Sequence, residues 1–401
     1  MTADIIVIGI SSVFFFYALL CSGYNLLFAV ASLFYKNFSV KGQISESSFL
    51  VLVPSYKEDE IILDSAKRNL KAIDYPVDKY KLVIIADQLK NETVDSLKNL
   101  GKNSDVHEVS FDKSTKVKSL NSAIRAYDDQ GFDYIVVLDA DNVVHPEFLS
   151  NVNRCISKGY LAIQGRRRAK NKNNSLSILD GLSEEINNSI FRKGGNVLGL
   201  SSPISGSGMA YQYQLFKEIL ESESALGGFD KMLQVRIIER RVKIRFCENA
   251  YVFDEKTDDQ KAFKNQRKRW LNSHFSYFTR FAGNGLKGLF TLNLDLFNLA
   301  IFIHGLLPRS FNTLLIGLFL VIAMVTPDVR FLEFQNWAFI FVAFLLANLI
   351  AIPKEYLNMK LLKAIGSIPI TFFNLFLALL KIKESNKSFI HTPHKKHSSN
   401  E

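Results

Sequence analysis

Apolar positions along this chain follow two regimes. At both ends they run together: residues 5–27 are nearly free of charge, and from residue 294 to residue 380 apolar segments follow one another with brief polar breaks. A helix that crosses a bilayer needs about 20 apolar residues. Residues 5–27, 311–325 and 337–352 therefore read as membrane helices, the second on the short side. In between, short apolar runs alternate with helical spacing. Phe49-Leu50-Val51-Leu52-Val53 reads as a strand stopped by Pro54, and residues 64–73 as a helix. Lys81-Leu82-Val83-Ile84-Ile85 is a second strand ending in Asp87, residues 117–127 are again helical, and Tyr134-Ile135-Val136-Val137-Leu138 is a third strand. Runs rich in β-branched residues and without alternation are buried on both faces, and strands alternating with helices imply a mostly parallel sheet. The expected class is α/β, with one domain over residues 36–290. It is flanked by a membrane helix in 1–35, by membrane and interfacial helices in 291–384, and by a polar tail in 385–401.

Composition agrees: 48% hydrophobic with 33 Phe in 401 residues is rich for a soluble protein. Asp4 precedes the first apolar run and no small-residue cleavage site stands out before Lys36, so the run reads as an anchor and not as a signal peptide. Lys36 and Lys41 follow it, which by the positive-inside rule puts the middle of the chain in the cytoplasm. Asp328, Arg330 and Glu333 then form an outer loop, and Lys354, Lys360 and Lys363 an inner one. Residues 364–380 raise a parity problem, because a crossing there would leave Lys381, Lys383, Lys387, Lys395 and Lys396 outside. Either that segment lies in the interface or residues 294–307 cross as well. The expectation is an integral protein of the cell (inner) membrane with a cytoplasmic catalytic domain. The net charge of +10 flanks apolar segments, which suits an anionic leaflet better than nucleic acid. Cys21, Cys155 and Cys247 lack metal-ligand spacing and fit a reduced compartment. Arg166-Arg167-Arg168 reads as a solvated or lipid-facing charge run, residues 171–174 as a loop, and residues 389–394 receive no chemistry.

The chemistry starts at Asp139-Ala140-Asp141. Two carboxylates at the carboxyl end of a buried strand stand where α/β sheets hold ligands, and once the chain turns, the first and third residues can converge on one ion. Hard oxygen donors suit Mg²⁺ or Mn²⁺, which can bridge the oxygens of a diphosphate. A pair of turn-forming, solvated aspartates has the same sequence, so the surroundings decide.

Those surroundings carry a resemblance. Pro54-Ser55-Tyr56-Lys57-Glu58, Asp87, Lys116 with Leu120-Asn121, Asp139-Ala140-Asp141, Ser205-Gly206-Ser207-Gly208, Asp230 and Gln266-Arg267-Lys268-Arg269-Trp270 occur in the order seen in family 2 glycosyltransferases. The chain resembles their membrane-bound, synthase-like branch, which includes cellulose, chitin and hyaluronan synthases. The resemblance implies a GT-A-type domain with a DxD motif that transfers a sugar, with inversion, from a nucleotide-sugar to a carbohydrate or lipid-linked acceptor, and UDP-sugar is the expected donor. It implies nucleotide contacts from Pro54, Tyr56, Glu58, Asp87, Asp139 and Lys116, with Lys118 an alternative to Lys116 near the diphosphate. It also implies Mg²⁺ or Mn²⁺ on Asp141 and Asp139. Asp230 would be the base; here Phe229 precedes it, where most relatives have glutamate, and a helix N-cap is the competing role. Ser205, Gly206, Ser207 and Gly208 would back the acceptor, Arg269 would hold diphosphate, Gln266 would bond donor or acceptor, and Trp270 would stack on a sugar. The alternative for that last motif is a juxtamembrane basic anchor. Polysaccharide synthesis, with room for an export partner protein, stands beside two alternatives: a single-addition glycolipid enzyme and a non-enzymatic nucleotide-sugar-binding subunit. No glycine-rich phosphate loop follows Val53, which argues against a nucleotidyltransferase.

Overall fold

The computed structural model describes residues 2–38, 42, 44–222, 229–257, 259–326 and 329–366. They form two compact units. One is drawn from within Met1–Tyr35, Leu182–Leu200 and His274–Phe376, the other from within Lys36–Gly181 and Ser201–Ser273. In chain order the elements are α1 (Thr2–Ser32), β1 (Phe49–Tyr56), α2 (Asp59–Ala72), β2 (Tyr80–Asp87), α3 (Asn91–Lys98), β3 (Ser104–Val109), α4 (Lys116–Ala126) and β4 (Tyr134–Val137). Next come β5 (Val143–Val144), α5 (Phe148–Ile156), β6 (Ala162–Ala169), α6 (Ser175–Asn187), a π-helical stretch (Asn188–Gly194), α7 (Gly195–Val197), β7 (Met209–Gln212), α8 (Tyr213–Glu221), α9 (Phe229–Glu239) and β8 (Ile244–Asp254). The chain continues through α10 (Gln260–Phe290), α11 (Leu294–Phe297), a second π-helical stretch (Asn298–Ile303), α12 (Arg309–Val325), α13 (Phe334–Ala351) and α14 (Met359–Ile365).

The second unit is built on one sheet of order β3-β2-β1-β4-β7-β6-β8-β5. The pairings β3-β2, β2-β1, β1-β4 and β6-β8 are parallel, while β7 runs antiparallel to β4 and β6, and β5 antiparallel to β8. Chain order reverses beside β1, with β2 on one flank and β4 on the other. In open α/β sheets that switch point, at the carboxyl ends of the strands, is where a crevice opens. Antiparallel β7 adds to it, because its first residue, Met209, pairs with Val137 at the end of β4. The segment before β7 is thereby delivered to the same edge. Val51, Val53, Leu82, Ile84, Val136 and Leu138 pack in the core beneath this edge.

Pro54 does not stop β1, which runs on to Tyr56. Leu138 N–H donates to Leu52 O at 3.0 Å, so Leu52, and two residues later Pro54, face the β4 side. β4 pairs with β1 only as far as Leu52↔Val137, so the missing proline N–H falls where there is nothing to bond. α2 begins at Asp59, earlier than its apolar spacing suggests, because Asp59 and Glu60 suit the positive end of a helix.

In the first unit α1, α12 and α13 share a core of Ala18, Cys21, Ile316, Ala323, Trp337, Ile340 and Phe344. Tyr17 donates to Asn312 and Tyr24 to Asn298, both at 2.9 Å. Ile5–Ser32 (28 residues) and Phe334–Ala351 (18 residues) are long and apolar enough to cross a membrane; Arg309–Val325 is shorter. The 294–307 segment is broken into α11, the π-helical stretch and a turn. At about 1.5 Å per residue it is shorter than about 30 Å of hydrocarbon. Lys41, Asp328, most of the 364–380 segment, residues 389–394 and the tail lysines lie outside the described residues.

Candidate active site

The sheet edge fixes the Asp139-Ala140-Asp141 turn from several sides. Asp139 N–H donates to Ser207 Oγ at 2.9 Å, and Ser65 Oγ donates to Ala140 O at 2.5 Å. The Ser207 hydroxyl in turn donates to Asn142 Oδ1, and Asn142 Nδ2 donates to Asp141 Oδ1 at 2.8 Å. Glu255 N–H, just beyond β8, donates to Asp141 Oδ2 at 3.2 Å, and Lys170 Nζ donates to the Asp141 backbone oxygen. Asp141 is buried, whereas the Asp139 side chain keeps 41% of its exposure. These are not loose turn aspartates. Their conformation is set before any ligand arrives.

Lys116, at the start of α4, joins this turn to the next element. Its ammonium donates to Asp139 Oδ1 at 2.6 Å and to Gly206 O at 2.9 Å, and it stands 5.8 Å from the centroid of the Phe229 ring. Lys118 instead turns away to Lys113 O at 2.9 Å, so of the two lysines weighed from sequence only Lys116 reaches the turn. Gly206 has φ +83°, and a Cβ placed on it would lie 3.8 Å from Asp230 Cβ. Asp139, Lys116, Gly206 and Asp230 are therefore linked in one chain of contacts. Asp230 lies inside the first turn of α9, one residue past the helix start at Phe229. Burial lowers the pKa of neighbouring Lys231, with the Asp230 charge opposing.

The Ser205–Gly208 segment is held as tightly. Gln164 accepts from Ser205 N–H at 2.9 Å and donates to Ser207 O at 3.0 Å, while Arg167 Nη1 donates to Ser205 O at 2.9 Å. Gly208 has φ +65°, and a Cβ there would fall 2.7 Å from Val252 Cγ2. Gly208→Ala is accordingly expected to destabilise the fold by about 1–2 kcal/mol, the cost of a left-handed non-glycine residue, and a lower melting temperature in a thermal unfolding scan checks it.

Arg166-Arg167-Arg168 is not a solvated run. The three residues lie in β6. Arg166 pairs with Glu248 at 3.3 Å, Arg167 pairs with the buried Asp254, which also takes Lys256 at 2.9 Å, and Arg168 sits 5.2 Å from the Tyr251 ring centroid. Buried carboxylates on β8 require these cations, and a sequence window confined to β6 cannot see them. Sequence reasoning missed Arg167 and Gln164 as supports of the Ser205–Gly208 segment for the same reason.

At the other end of the crevice, Tyr56 pairs in register with Asp87, and Lys57 N–H donates to Asp87 O at 3.2 Å. Glu58 accepts from Tyr56 N–H at 3.3 Å. Lys57 (φ 57°) and Gln88 (φ 56°) both adopt the left-handed conformation there. The Asp87 carboxylate is buried beside the Ser114 hydroxyl, and among the described residues neither group makes a hydrogen bond of good geometry. Burial pushes the Asp87 carboxyl above its ordinary value, with Ser114 and Lys57 working against the shift. On α10, Arg269 is exposed, and the Asp139 charge acts on its guanidinium. The Gln266 carbonyl oxygen is buried and has no hydrogen-bond partner among the described residues. Trp270 is 40% exposed and lies 4.5 Å from the Arg267 guanidinium.

The profile of the family described as "Glycosyltransferase like family 2" matches residues 47–273, which takes in every strand of the sheet and all of these side chains. The chain is a member of glycosyltransferase-like family 2. Its fold is similar to that of the mannosyltransferase PcManGT from Pyrobaculum calidifontis, solved with GDP-Man and Mn²⁺, with a TM-score of 0.59 at 14% identity over 94% of this chain and 99% of that one. S. aureus TarS 1–349 in complex with UDP-GlcNAc is more distant, with a TM-score of 0.38 at 16% identity over 75% of this chain and 92% of that one. No curated protein sequence matches the chain significantly. The family 2 domain thus has a GT-A-like α/β fold with a mostly parallel mixed sheet, as its strand pattern suggested.

Proposed function

We propose that this family 2 protein is a membrane-anchored, inverting glycosyltransferase that uses a nucleoside diphosphate sugar and a divalent cation to glycosylate a carbohydrate or lipid-linked acceptor. One observation carries the reading: Lys116 ties Asp139 to Gly206, and Gly206 abuts Asp230. A carboxylate pair fit for a metal diphosphate and a carboxylate fit for an acceptor proton thus line one cleft.

Asp139 and Asp141 would hold Mg²⁺ or Mn²⁺. Asp139 has an oxygen open to the cleft, and Asp141 accepts only single hydrogen bonds at each oxygen, a hard donor set of the right kind. Among the described residues no third His, Cys, Asp or Glu joins them. When bound, the ion neutralises charge developing on the leaving diphosphate. Arg269 and Lys116 add fixed positive charge on the same side. Asp230 takes the proton from the acceptor hydroxyl as its oxygen bonds the anomeric carbon. The bond from that carbon to the diphosphate breaks on the opposite face, so configuration inverts. The buried Asp87 carboxylate accepts N–H or O–H donors of the nucleoside, and the free face of Trp270 stacks on a sugar ring. The GDP-Man and Mn²⁺ bound by the Pyrobaculum enzyme are of the class proposed.

The anchoring rests on Ile5–Ser32 and Phe334–Ala351. Exposed apolar side chains on α1, α12 and α13, among them Val13, Phe16, Leu318, Val321 and Phe339, suit a lipid surface. Lys36 after α1 favours a cytoplasmic domain.

Detergent-solubilised protein given a panel of UDP- and GDP-sugars with Mg²⁺ or Mn²⁺ and a membrane extract is expected to release nucleoside diphosphate. Chelation by EDTA should stop that release and weaken donor binding by at least about tenfold, the lower end of what lost metal ligation costs. Release unaffected by EDTA would remove the metal from the scheme. No release from any donor would remove the transferase reading.

A further inference from the structure

Arg267 and Lys268 are the two residues in Gln266-Arg267-Lys268-Arg269-Trp270 to which the resemblance gives no role, yet Arg267 is held by a buried carboxylate. Its guanidinium pairs with Asp180 of α6, whose side chain is 6% exposed, while its own is 19% exposed. Two rings flank it: Phe263 at 4.8 Å and Trp270 at 4.5 Å from the guanidinium carbon to the ring centroid. Phe263, Arg267 and Trp270 are spaced by four and three residues on α10, so they lie along one side of the helix. Phe263 is buried and Trp270 is not. The arrangement runs from a buried ring, through the guanidinium, to an indole that is 40% exposed.

We infer that Arg267, clamped by Asp180, is the positioning residue for Trp270 and through it for the acceptor sugar. The inference rests on the transferase reading above and deepens it. A planar guanidinium can hold a carboxylate along its edge while two rings lie over its flat faces; an ammonium can pair with the carboxylate but has no flat face to set the orientation of the rings. Arg269 lies about 160° around the helix from Arg267 by way of Gln266, at 100° per residue. One side of α10 therefore serves the diphosphate and the other fixes the indole, with Trp270 between them. The anchor alternative does not describe Arg267, since a membrane-surface cation is not sealed against a buried aspartate.

The test uses the full-length protein in detergent and its two tryptophans, Trp270 and Trp337. After 5-fluorotryptophan labelling, Trp270→Phe assigns the two ¹⁹F resonances. Arg267→Met and Asp180→Asn should each shift or broaden the Trp270 resonance while that of Trp337 stays in place. Arg267→Lys should do the same as Arg267→Met, because it keeps charge without the flat stack. With a detergent extract of membranes as the varied acceptor, Arg267→Met and Asp180→Asn should each raise the apparent KM for acceptor about tenfold, a usual cost of misplacing a substrate contact. The donor KM and the slow hydrolysis of donor should remain unchanged. The double variant should be no worse than either single one, because the two side chains act as a unit. An unmoved Trp270 resonance, an unchanged acceptor KM, additive effects or full recovery in Arg267→Lys would each overturn the inference. A wild-type chain that turns over no donor would sink the transferase reading instead, and the resonances would still decide whether Arg267 positions Trp270.

Discussion

Asp230→Asn is expected to abolish sugar transfer while leaving donor binding intact. The two halves separate because Asp230 and the Asp139–Asp141 turn are contributed by different elements, α9 and the end of β4, joined through Lys116 and Gly206. An asparagine occupies the same volume and cannot take the acceptor proton, so the loss falls on the chemical step. A placed general base contributes a factor of about 10² to 10⁴, and that is the drop in kcat expected with a panel donor and a membrane extract. Equilibrium binding of the donor with Mn²⁺, measured by calorimetry, should change little. The alternative role for Asp230, a helix N-cap, predicts something else: a loss of roughly 1 kcal/mol of stability with activity kept. In the described residues Asp230 is helical, within α9, and not at a residue preceding the helix. If Asp230→Asn remains fully active, another group carries the base.

How much of this was legible beforehand depended on whether the determining contacts were local. β1, β2 and β4 were readable because a strand buried on both faces must be a continuous apolar run, and each such run stops at a polar residue of the crevice. Asp87 and Asp139-Ala140-Asp141 could be placed for that reason alone. The end of β1 was misread at Pro54, because a proline's cost depends on whether a neighbouring strand is there to miss its N–H, and that is a property of β4. The charge run Arg166-Arg167-Arg168 was misread in the same way, since Glu248 and Asp254 lie on a strand some 80 residues away in sequence. Local sequence could propose Lys116 or Lys118 near the diphosphate but not choose, because the choice lies in where α4 begins relative to Gly206. What the sequence hides is the partner, and charged residues in the site are defined by their partners.

Asp87→Asn is expected to stabilise the protein and to cost it most of its donor affinity. In the folded chain the Asp87 carboxylate is buried, among the described residues it makes no hydrogen bond of good geometry, and burial raises its pKa above the ordinary 3.8, with Ser114 and Lys57 offsetting only part of the shift. A carboxyl raised on folding contributes fully at pH values below its unfolded pKa, and that contribution is lost as pH rises through the folded value. At neutral pH the wild-type protein therefore bears a desolvation cost that Ser114 and Lys57 only partly offset, up to about 1–3 kcal/mol, and the neutral amide relieves much of it. Thermal unfolding should show Asp87→Asn melting above wild type at pH 7, with the gap closing as pH falls toward 4. A gap that widens on acidification would contradict the sign. Donor binding should move the other way. A nucleoside that brings N–H or O–H donors to Asp87 meets bare acceptors, and hydrogen bonds to a charged group are worth about 1.5–3 kcal/mol; the amide gives up one acceptor and the charge. A weakening of donor binding by roughly 10- to 100-fold, seen by calorimetry with the diphosphate and metal contacts unaltered, is the expected result. Stability gained and affinity lost in one substitution would mean that this carboxylate is kept unpaired by the fold for the ligand to pair, and equal affinity in the two proteins would leave the burial of Asp87 without a function.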